Sequence, residues 1–433
     1  MVFSVVAAFS GTTQFYEHAV NSLTLGDGFV YSKNFSWRYS LTATILLLSP
    51  FDLLASLGMD MYLPVVPLMA DVLGAETGTI QLTLTVYLVL IGVGQLLFGP
   101  LSDRFGRRPV LLSGGIAYIV ASFGLAITLS PEVFLGLRVI QAFGASACLV
   151  AMFAAVRDIY SGRKESNIIY GLLGSMLAMV PAVGPLLGAL INTWLGWRAI
   201  FGLLGCAMVV AVITAWKLCP ETRQQRATSL QWSQLLLPVK RLTFWLYTLC
   251  YSAGFGSFFV FFSTAPWVMM GRQGLSQLTF SLLFATVAIA MMVTSRIAGD
   301  LIVRWGSLNM LRMGMCCLIV GALLLAAGEI LIPESVFGFI IPMWLVGVGI
   351  STGASVAPNG ALRGFDHIAG TVTALYFCLG GLLLGAVGTF TITLLSNATT
   401  WPIIAYCLIL ATIVLCLSCF INNEGHKQLD QNH

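Results

Sequence analysis

Charged side chains are scarce in this sequence. Aspartate, glutamate, lysine and arginine together make up 9% of its 433 residues, whereas soluble domains usually carry about 25%. Hydrophobic residues make up 58% of the chain, and its mean hydropathy is +0.92. A water-soluble core cannot bury so much apolar surface. The scarcity of charge therefore excludes a soluble globular protein and indicates a membrane protein.

Histidine is also scarce, and no copy falls within an apolar run. The four histidines lie in predicted tails or loops: His18, His367, His426 and His433. The ten cysteines lie in or beside apolar runs, where a thiol behaves as a small hydrophobic side chain. Cys416 and Cys419 have CxxC spacing, but a helix leaving the membrane is a poor metal or redox site, so we interpret them as packing residues. The sequence predicts no cofactor and no metal site.

Long apolar runs separated by short polar breaks fill the chain. About 20 apolar residues are needed for a helix to cross the ~30 Å hydrocarbon core of a bilayer. A backbone exposed to lipid must satisfy its own hydrogen bonds, so runs of this length predict helices. The fold class is therefore all-α, a polytopic bundle of twelve transmembrane helices in two six-helix halves. The predicted spans are 41–63, 79–99, 109–129, 132–155, 167–190, 198–216, 244–265, 278–298, 310–331, 336–357, 370–395 and 401–421.

Lysine and arginine mark one side of this predicted bundle. If both termini are cytoplasmic, all of the 21 lysines and arginines except Arg138, Arg198 and Arg272 lie on the cytoplasmic side. Cationic loops are retained in the cytoplasm, so this orientation is the predicted one. The formal net charge of +4 follows from the same bias and requires no nucleic-acid partner.

The longest polar connection, CPETRQQRATSLQWSQLLLPVKRLT, divides the spans into six and six. A faint internal echo suggests duplication, because SRIAGDLIVRWGSLNML follows the eighth span as GPLSDRFGRRPVL follows the second. The predicted segments are a disordered cytoplasmic tail at 1–40, a first half at 41–218, a cytoplasmic linker at 219–243, a second half at 244–421 and a cytoplasmic tail at 422–433.

The connection after the second span, GPLSDRFGRRPVL at 99–111, concentrates charge. Three arginines in a cytoplasmic loop can simply anchor the chain to anionic headgroups. Their spacing favours another role, because G-x-L-x-D-R-x-G-R-R resembles the signature loop of the major facilitator superfamily. The resemblance implies a latch that joins the two halves when the transporter is open outward. The matching residues are Gly99, Asp103, Arg104, Gly106, Arg107 and Arg108.

Two further stretches resemble motifs of the same family. LRVIQAFGASA at 137–147 resembles its fourth-span motif, and Arg138 within it needs a partner or a water-filled cavity unless it snorkels to the surface. GSMLAMVPAVGPLLGAL at 174–190 resembles the fifth-span motif of the antiporter branch, which is associated with export. A generic kinked helix rich in small residues is the alternative. The matching residues are Gly174, Pro181, Gly184, Pro185 and Gly188.

The first span supplies the carboxyl groups. SPFDLLASLGMDMYLPVVP places Asp52 near mid-membrane and Asp60 eight residues later, so on a helix they point within ~80° of each other and lie ~12 Å apart along the axis. Burial disfavours a charged carboxyl and a nearby guanidinium favours it, so alternation between such environments can load and release a proton. We expect Asp52 or Asp60 to carry the proton and Arg138 to share their cleft. The alternative for Asp60 is a solvent-exposed position at the outer end.

A narrower resemblance points to a substrate. SPFDLLASLGMDMYLP, LRVIQAFGASA, AAVRDIYSGR and FFVFFSTAP are similar to stretches of the chloramphenicol and florfenicol exporters among the drug:proton antiporters. The resemblance covers about residues 32–421 and implies export of amphenicol antibiotics across a bacterial inner membrane, powered by inward proton flow. It ties Asp52 and Arg138 to activity. It also implies a monomer that is not an enzyme, with a small-molecule drug, protons and the lipid bilayer as partners.

Aromatic residues of the seventh span are candidates for binding such a drug. FWLYTLCYSAGFGSFFVFFSTAP at 244–266 places them at helical spacing, and a neutral aromatic ligand needs a mostly apolar site with a few polar groups. Packing against lipid or other helices is the alternative. The candidate substrate-binding residues, including some from the second and eleventh spans, are Tyr87, Gln95, Tyr251, Phe255, Phe258, Phe262 and Tyr376.

Two other functions stay open at this point. The same fold and coupling suit an exporter of another small neutral or weakly cationic compound, such as a sugar or a metabolite. A membrane-embedded transferase would need a catalytic His/Asp set or a diphosphate-binding acidic pair near the membrane surface. Neither Asp52 with Asp60 nor His367 supplies such a set.

Overall fold

The computed structural model describes residues 39–160, 165–223, 237–365, 369–395 and 399–430. Within these residues the chain forms helices and no strand. Twelve helices are long and apolar enough to cross a membrane, which confirms the predicted fold class. They are α1 (Leu41–Asp60), α2 (Thr77–Phe105), α3 (Arg107–Ile127), α4 (Pro131–Tyr160), α5 (Glu165–Leu195), α6 (Trp197–Leu218), α7 (Leu242–Pro266), α8 (Gln277–Trp305), α9 (Ser307–Leu331), α10 (Val336–Leu362), α11 (Ala369–Leu395) and α12 (Trp401–Asp430).

Several helices extend beyond the apolar runs that predicted them. α2 continues to Phe105 and α12 to Asp430, past the predicted ends at 99 and 421. Hydropathy marks the part of a helix that faces lipid, whereas the backbone hydrogen bonds continue through polar residues at the membrane edge. The predicted tail at 1–40 lies almost wholly outside the described residues, as does 224–236 of the predicted linker.

α1 ends earlier than predicted. Its last residue is Asp60, and the chain then passes through a 3₁₀ turn, Leu63–Val65, into a short helix, Val66–Leu73. Pro64 and Pro67 lie at the starts of these two pieces. Proline has no N–H to donate to the helical ladder, so an apolar run that contains it is broken into pieces.

The two sets of six helices pair in the same way. α3 packs against α4 and α6, as α9 packs against α10 and α12, and the α2–α4 contact corresponds to the α8–α10 contact. Gly106 separates α2 from α3 with φ 107°, and Gly306 separates α8 from α9 with φ 78°. Glycine adopts such positive φ values readily. The equivalent turns match the internal echo in the sequence.

The halves meet along two helix pairs, α5 with α8 and α2 with α11. We call the end of the bundle that carries the α2–α3 turn the linker end and the opposite end the far end. Side-chain hydrogen bonds between α5 and α8 cross from one half to the other. Asn192 Nδ2 donates to Gln277 Oε1 at 2.8 Å, and Ser281 Oγ donates to the Pro185 carbonyl at 3.0 Å. Both lie toward the far end, so this conformation is closed there.

Candidate functional site

A cavity lies between the two halves. The space within it that no protein atom occupies is about 1180 Å³, and part of that space is open to solvent. Side chains of α1, α2, α4, α5, α7 and α11 line it. Four phenylalanines from α7 and one from α11 form much of its wall: Phe255, Phe258, Phe259, Phe262 and Phe377. The polar and ionisable residues that line it are Asp52, Ser56, Asp60, Tyr87, Gln95, Tyr251 and Cys378. Such a wall suits a ligand that is largely apolar with a few polar groups.

Most of the predicted substrate-binding residues line this cavity. They are Tyr87, Gln95, Tyr251, Phe255, Phe258 and Phe262. Tyr376 does not line it. It is buried behind Tyr251, with the two ring centroids 5.2 Å apart, and its neighbour Phe377 lines the cavity instead. Successive residues of a helix point ~100° apart, so the sequence alone did not decide which of the two aromatics faces inward.

Sequence reasoning missed several lining residues. Ser56 and Met59 come from α1, Leu88 from α2, and Cys378 and Leu384 from α11. Ser56 carried a usable signal, because it follows Asp52 by four residues and precedes Asp60 by four, so it shares their face of the helix. The others are apolar or small residues in apolar helices, whose orientation depends on how the helices pack.

α1 carries both carboxyl groups of the cavity. Asp52 is 2% exposed and Asp60 5% exposed, so Asp60 is not a solvent-exposed residue at the end of the span. Within the part of the chain that the structure describes, Asp60 Oδ2 has no hydrogen-bond partner. Among the described residues, no lysine, arginine or histidine nitrogen lies within 4 Å of either carboxyl group.

Arg138 of α4 is fully buried and does not line the cavity. Its Nη1 donates to the Gly58 carbonyl at 2.9 Å and to Gln141 Oε1 at 2.8 Å. Its guanidinium carbon lies over three aromatic rings, at 4.2 Å from the centroid of Tyr62, 4.9 Å from Tyr87 and 5.4 Å from Phe201. Aromatic faces attract cations and replace part of the lost hydration.

These contacts revise two expectations about Arg138. It does not snorkel, because its partners lie inside the bundle. In this conformation it does not line the cavity with the acids, because the Tyr87 ring lies between the cavity and the guanidinium; its part in proton coupling stays a prediction. A link from Arg138 to the acids therefore runs through the backbone of α1 and the ring of Tyr87.

Three side chains bind the backbone of α1 between the two acids. Each donates a hydrogen bond to a backbone carbonyl within α1. Tyr118 Oη donates to Leu54 at 2.8 Å, Tyr87 Oη to Ala55 at 2.7 Å and Arg138 Nη1 to Gly58 at 2.9 Å. Gly58 makes room for this arrangement, since a Cβ there would lie 2.5 Å from Tyr118 Oη and 2.6 Å from Tyr87 Oη. α1 is thus held by α2, α3 and α4.

The glycines predicted as the antiporter motif bring α5 close to α1 beside Asp60. A Cβ at Gly184 would lie 2.5 Å from Asp60 Cβ, and one at Gly188 would collide with the Met61 carbonyl oxygen. The other three residues of the motif have separate positions: Gly174 is buried, Pro181 lines the cavity, and the Pro185 carbonyl accepts the bond from Ser281. The glycines are therefore needed for the α1–α5 contact.

The charged loop after α2 forms a compact network at the linker end. Arg107 donates to Asp103 at 2.5 Å and to Asp158, at the end of α4, at 2.8 Å. Arg108 donates to the Trp216 carbonyl at 2.6 Å. Arg104 supplies the carbonyl that Arg223 of the linker binds at 2.7 Å.

The start of the linker caps α3. The carboxylate of Glu221 accepts the backbone N–H groups of Arg107 at 2.9 Å and Arg108 at 3.1 Å. These two residues open α3, where N–H groups lack helical partners and an anion is favourable. A Cβ at Gly106 would collide with Glu221, whereas one at Gly99 would meet no atom within 4 Å.

None of these loop contacts joins the two halves. Each described partner of the loop belongs to the first half or to the start of the linker. The expected latch concerns the outward-open state, whereas this conformation is closed at the far end. The role of the loop as a latch between halves stays a prediction.

Twelve membrane-spanning helices in two matching sets, with a cavity between them, define a polytopic membrane protein of the transporter class. The sequence model of the Major Facilitator Superfamily matches residues 51–389. The chain belongs to this family, as the resemblance predicted.

Three relatives of this chain are named as resistance proteins. The chain is 72% identical over 396 residues to the "Chloramphenicol resistance protein" of Pseudomonas aeruginosa. The aligned residues cover 92% of this chain and 94% of that protein. It is 54% identical over 137 residues to a "Chloramphenicol resistance protein" of Escherichia coli, covering 32% and 45% of the two chains. It is 30% identical over 349 residues to "Multidrug resistance protein D" of Escherichia coli, covering 78% and 84%.

Proposed function

We propose that this chain exports chloramphenicol-type antibiotics across the bacterial inner membrane in exchange for protons and so confers resistance. The observation that carries the proposal is the 72% identity, over almost the whole of both chains, with a protein named for chloramphenicol resistance. The cavity supports it. Chloramphenicol is neutral and has an aromatic ring, hydroxyls and an amide, which suits a phenylalanine-rich wall with a few polar groups.

The two halves, 41–218 and 244–421, act in this proposal as units that alternate access to the cavity. Transporters built from two such repeats move one half against the other around a site near the midplane. The linker end faces the cytoplasm, as do both termini, because the lysine and arginine bias favours that orientation. The drug enters from the linker end and leaves after the α5–α8 contact opens at the far end. The protein works as a monomer in the lipid bilayer.

Proton coupling depends in this proposal on Asp52, Asp60 and Arg138. The two carboxyls line the cavity that binds the drug, so proton and drug occupancy influence each other. Arg138 acts on the acids indirectly, because its hydrogen bond to the Gly58 carbonyl holds the part of α1 that lies between them. Movement of α4 relative to α1 would change the surroundings of both carboxyls.

Accumulation of radiolabelled chloramphenicol in bacterial cells tests the proposal. Cells that express the protein should accumulate less drug than cells with an empty vector, and an uncoupler should remove the difference. Equal accumulation in the two kinds of cell would contradict the drug assignment. Asp52→Asn should abolish efflux while the protein still inserts in the membrane; full resistance with this variant would assign the proton to Asp60.

A further inference from the structure

Ser56 lies between the two acids on the wall of the cavity. Asp52, Ser56 and Asp60 are four residues apart and all line the cavity. Each is rotated ~40° from the one before and lies ~6 Å further along the helix axis. All three are buried, Ser56 with an exposure of 6%. They form a stripe on α1 with a hydroxyl at its middle.

The two carboxyls are too far apart to exchange a proton directly. Their separation along the axis is ~12 Å, whereas oxygen atoms in a hydrogen bond lie about 2.5–3.0 Å apart. Ser56 divides this distance into two gaps of ~6 Å, and one water with two hydrogen bonds spans such a gap. A serine hydroxyl donates one hydrogen bond and accepts others at the same time, which proton relay requires.

The other polar groups around the stripe are less suited to this role. Tyr87 of α2 donates its hydroxyl proton to the Ala55 carbonyl at 2.7 Å, and Gln95 of α2 donates its amide Nε2 to the Ile91 carbonyl at 3.0 Å. Arg138 of α4 lies behind the Tyr87 ring and has no acceptor atom. Tyr251 of α7 and Cys378 of α11 line the cavity from the other half. α5 contributes Pro181, which has no donor.

We propose that Ser56 relays protons between Asp60 and Asp52 through one water on either side. The Asp60 carboxylic acid gives its proton to the first water, which passes a proton to Ser56 Oγ while Ser56 passes its own to the second water. The second water then protonates the Asp52 carboxylate. One acid is consumed and one is formed, and the hydroxyl and both waters are regenerated. The proposal rests on the proposed function and adds a route between the far-end and mid-membrane carboxyls.

Reconstituted full-length protein provides the test. Proteoliposomes with an entrapped pH-sensitive dye report proton flux, and radiolabelled chloramphenicol reports both transport and equilibrium binding. Ser56→Ala removes the hydroxyl, Ser56→Thr keeps it, and Ser49→Ala makes the same change on α1 at a buried residue that does not line the cavity. A positioned proton-transfer group typically contributes at least about 10²-fold to a rate. A water can occupy the space that Ser56→Ala leaves, so we expect a loss of about tenfold in proton-coupled transport.

The expected pattern separates relay from other roles. Ser56→Ala should bind chloramphenicol with the affinity of the wild type. Its proton-coupled transport should be slower, as estimated above, and the solvent deuterium isotope effect on that transport should be larger than in the wild type. Ser56→Thr should restore the rate, and Ser49→Ala should match the wild type. A loss of drug affinity in Ser56→Ala would show that the hydroxyl anchors the drug and would overturn the relay. Coupling equal to the wild type would overturn it too, while wild-type protein that moves no protons with the drug would overturn the proposed function itself.

Discussion

Gly184→Ala tests how closely α5 approaches α1 beside Asp60. The added Cβ would lie 2.5 Å from Asp60 Cβ and 3.5 Å from its carbonyl carbon. Carbon atoms pack at about 3.5–4.0 Å, so the two helices must separate locally by about 1 Å. Neither Cβ can rotate away, because both are bonded directly to the backbone. Overpacking of this kind destabilises a protein by about 1–3 kcal/mol.

Gly202→Ala is the matched control, because Gly202 is also helical but a Cβ there meets no atom within 4 Å. The thermal midpoint of the purified protein should fall for Gly184→Ala and stay level or rise for Gly202→Ala, since alanine favours a helix by up to about 1 kcal/mol over glycine. Chloramphenicol export should fall with Gly184→Ala as well, because Asp60 borders the contact. Midpoint and export equal to those of Gly202→Ala would refute the close packing of α1 and α5.

Three other variants probe the linker end, the far end and the layer of side chains behind the cavity wall. Glu221→Ala removes the acceptor of two N–H groups at the start of α3, so the free energy of unfolding should fall by about 0.5–2 kcal/mol, measured as a lower thermal midpoint. Arg272→Ala leaves Glu329 without the guanidinium that binds it at 2.5 and 2.8 Å, and should cost about 1–3 kcal/mol by the same measurement. Tyr376→Phe removes a buried hydroxyl that does not line the cavity and has no hydrogen-bond partner among the described residues, so equilibrium binding of chloramphenicol should change by less than about twofold.

The first two variants have a control, and all three have a result that would contradict the reasoning. Glu221→Gln keeps an acceptor and should lose less stability than Glu221→Ala; equal midpoints for all three proteins would exclude the cap. The double variant with Arg272→Ala and Glu329→Gln should recover part of the loss, because no unpaired charge remains. If the losses in thermal midpoint of the two single variants simply add in the double variant, the ion pair does not contribute to stability. A Tyr376→Phe protein that binds the drug much more weakly would place this hydroxyl in the site.

The number of helices followed from the sequence because the bilayer imposes a single requirement. Each crossing needs a long apolar run, and only a helix satisfies the backbone within it. The ends of the helices depend on local hydrogen bonds that hydropathy does not report. α2, for example, ends at Phe105, where Gly106 adopts a positive φ and Glu221 caps the next helix.

The acids of the cavity were predictable, whereas the surroundings of Arg138 were not. Asp52 and Asp60 stand out because a carboxyl within an apolar span is rare and needs a function. The partners of Arg138 are a backbone carbonyl and aromatic rings from other helices, which no pattern within the fourth span reveals. Likewise, whether Tyr376 or Phe377 faces the cavity depends on how α11 is rotated about its axis. The residues of α11 are apolar on all sides, so the sequence does not reveal this rotation.

The binding of Glu221 and Arg223 to the α2–α3 turn also bears on how the halves are joined. After Arg223 the next described residue is 237, and the turn at 237–241 already packs against α7, where Trp245 Nε1 donates to the Val239 carbonyl at 2.8 Å. The 13 residues between these points, 224–236, can reach at most roughly 45 Å, which is more than the distance between neighbouring helices. The chain between them therefore limits how far the halves can drift apart without dictating their arrangement, which rests on the surfaces where α5 meets α8 and α2 meets α11.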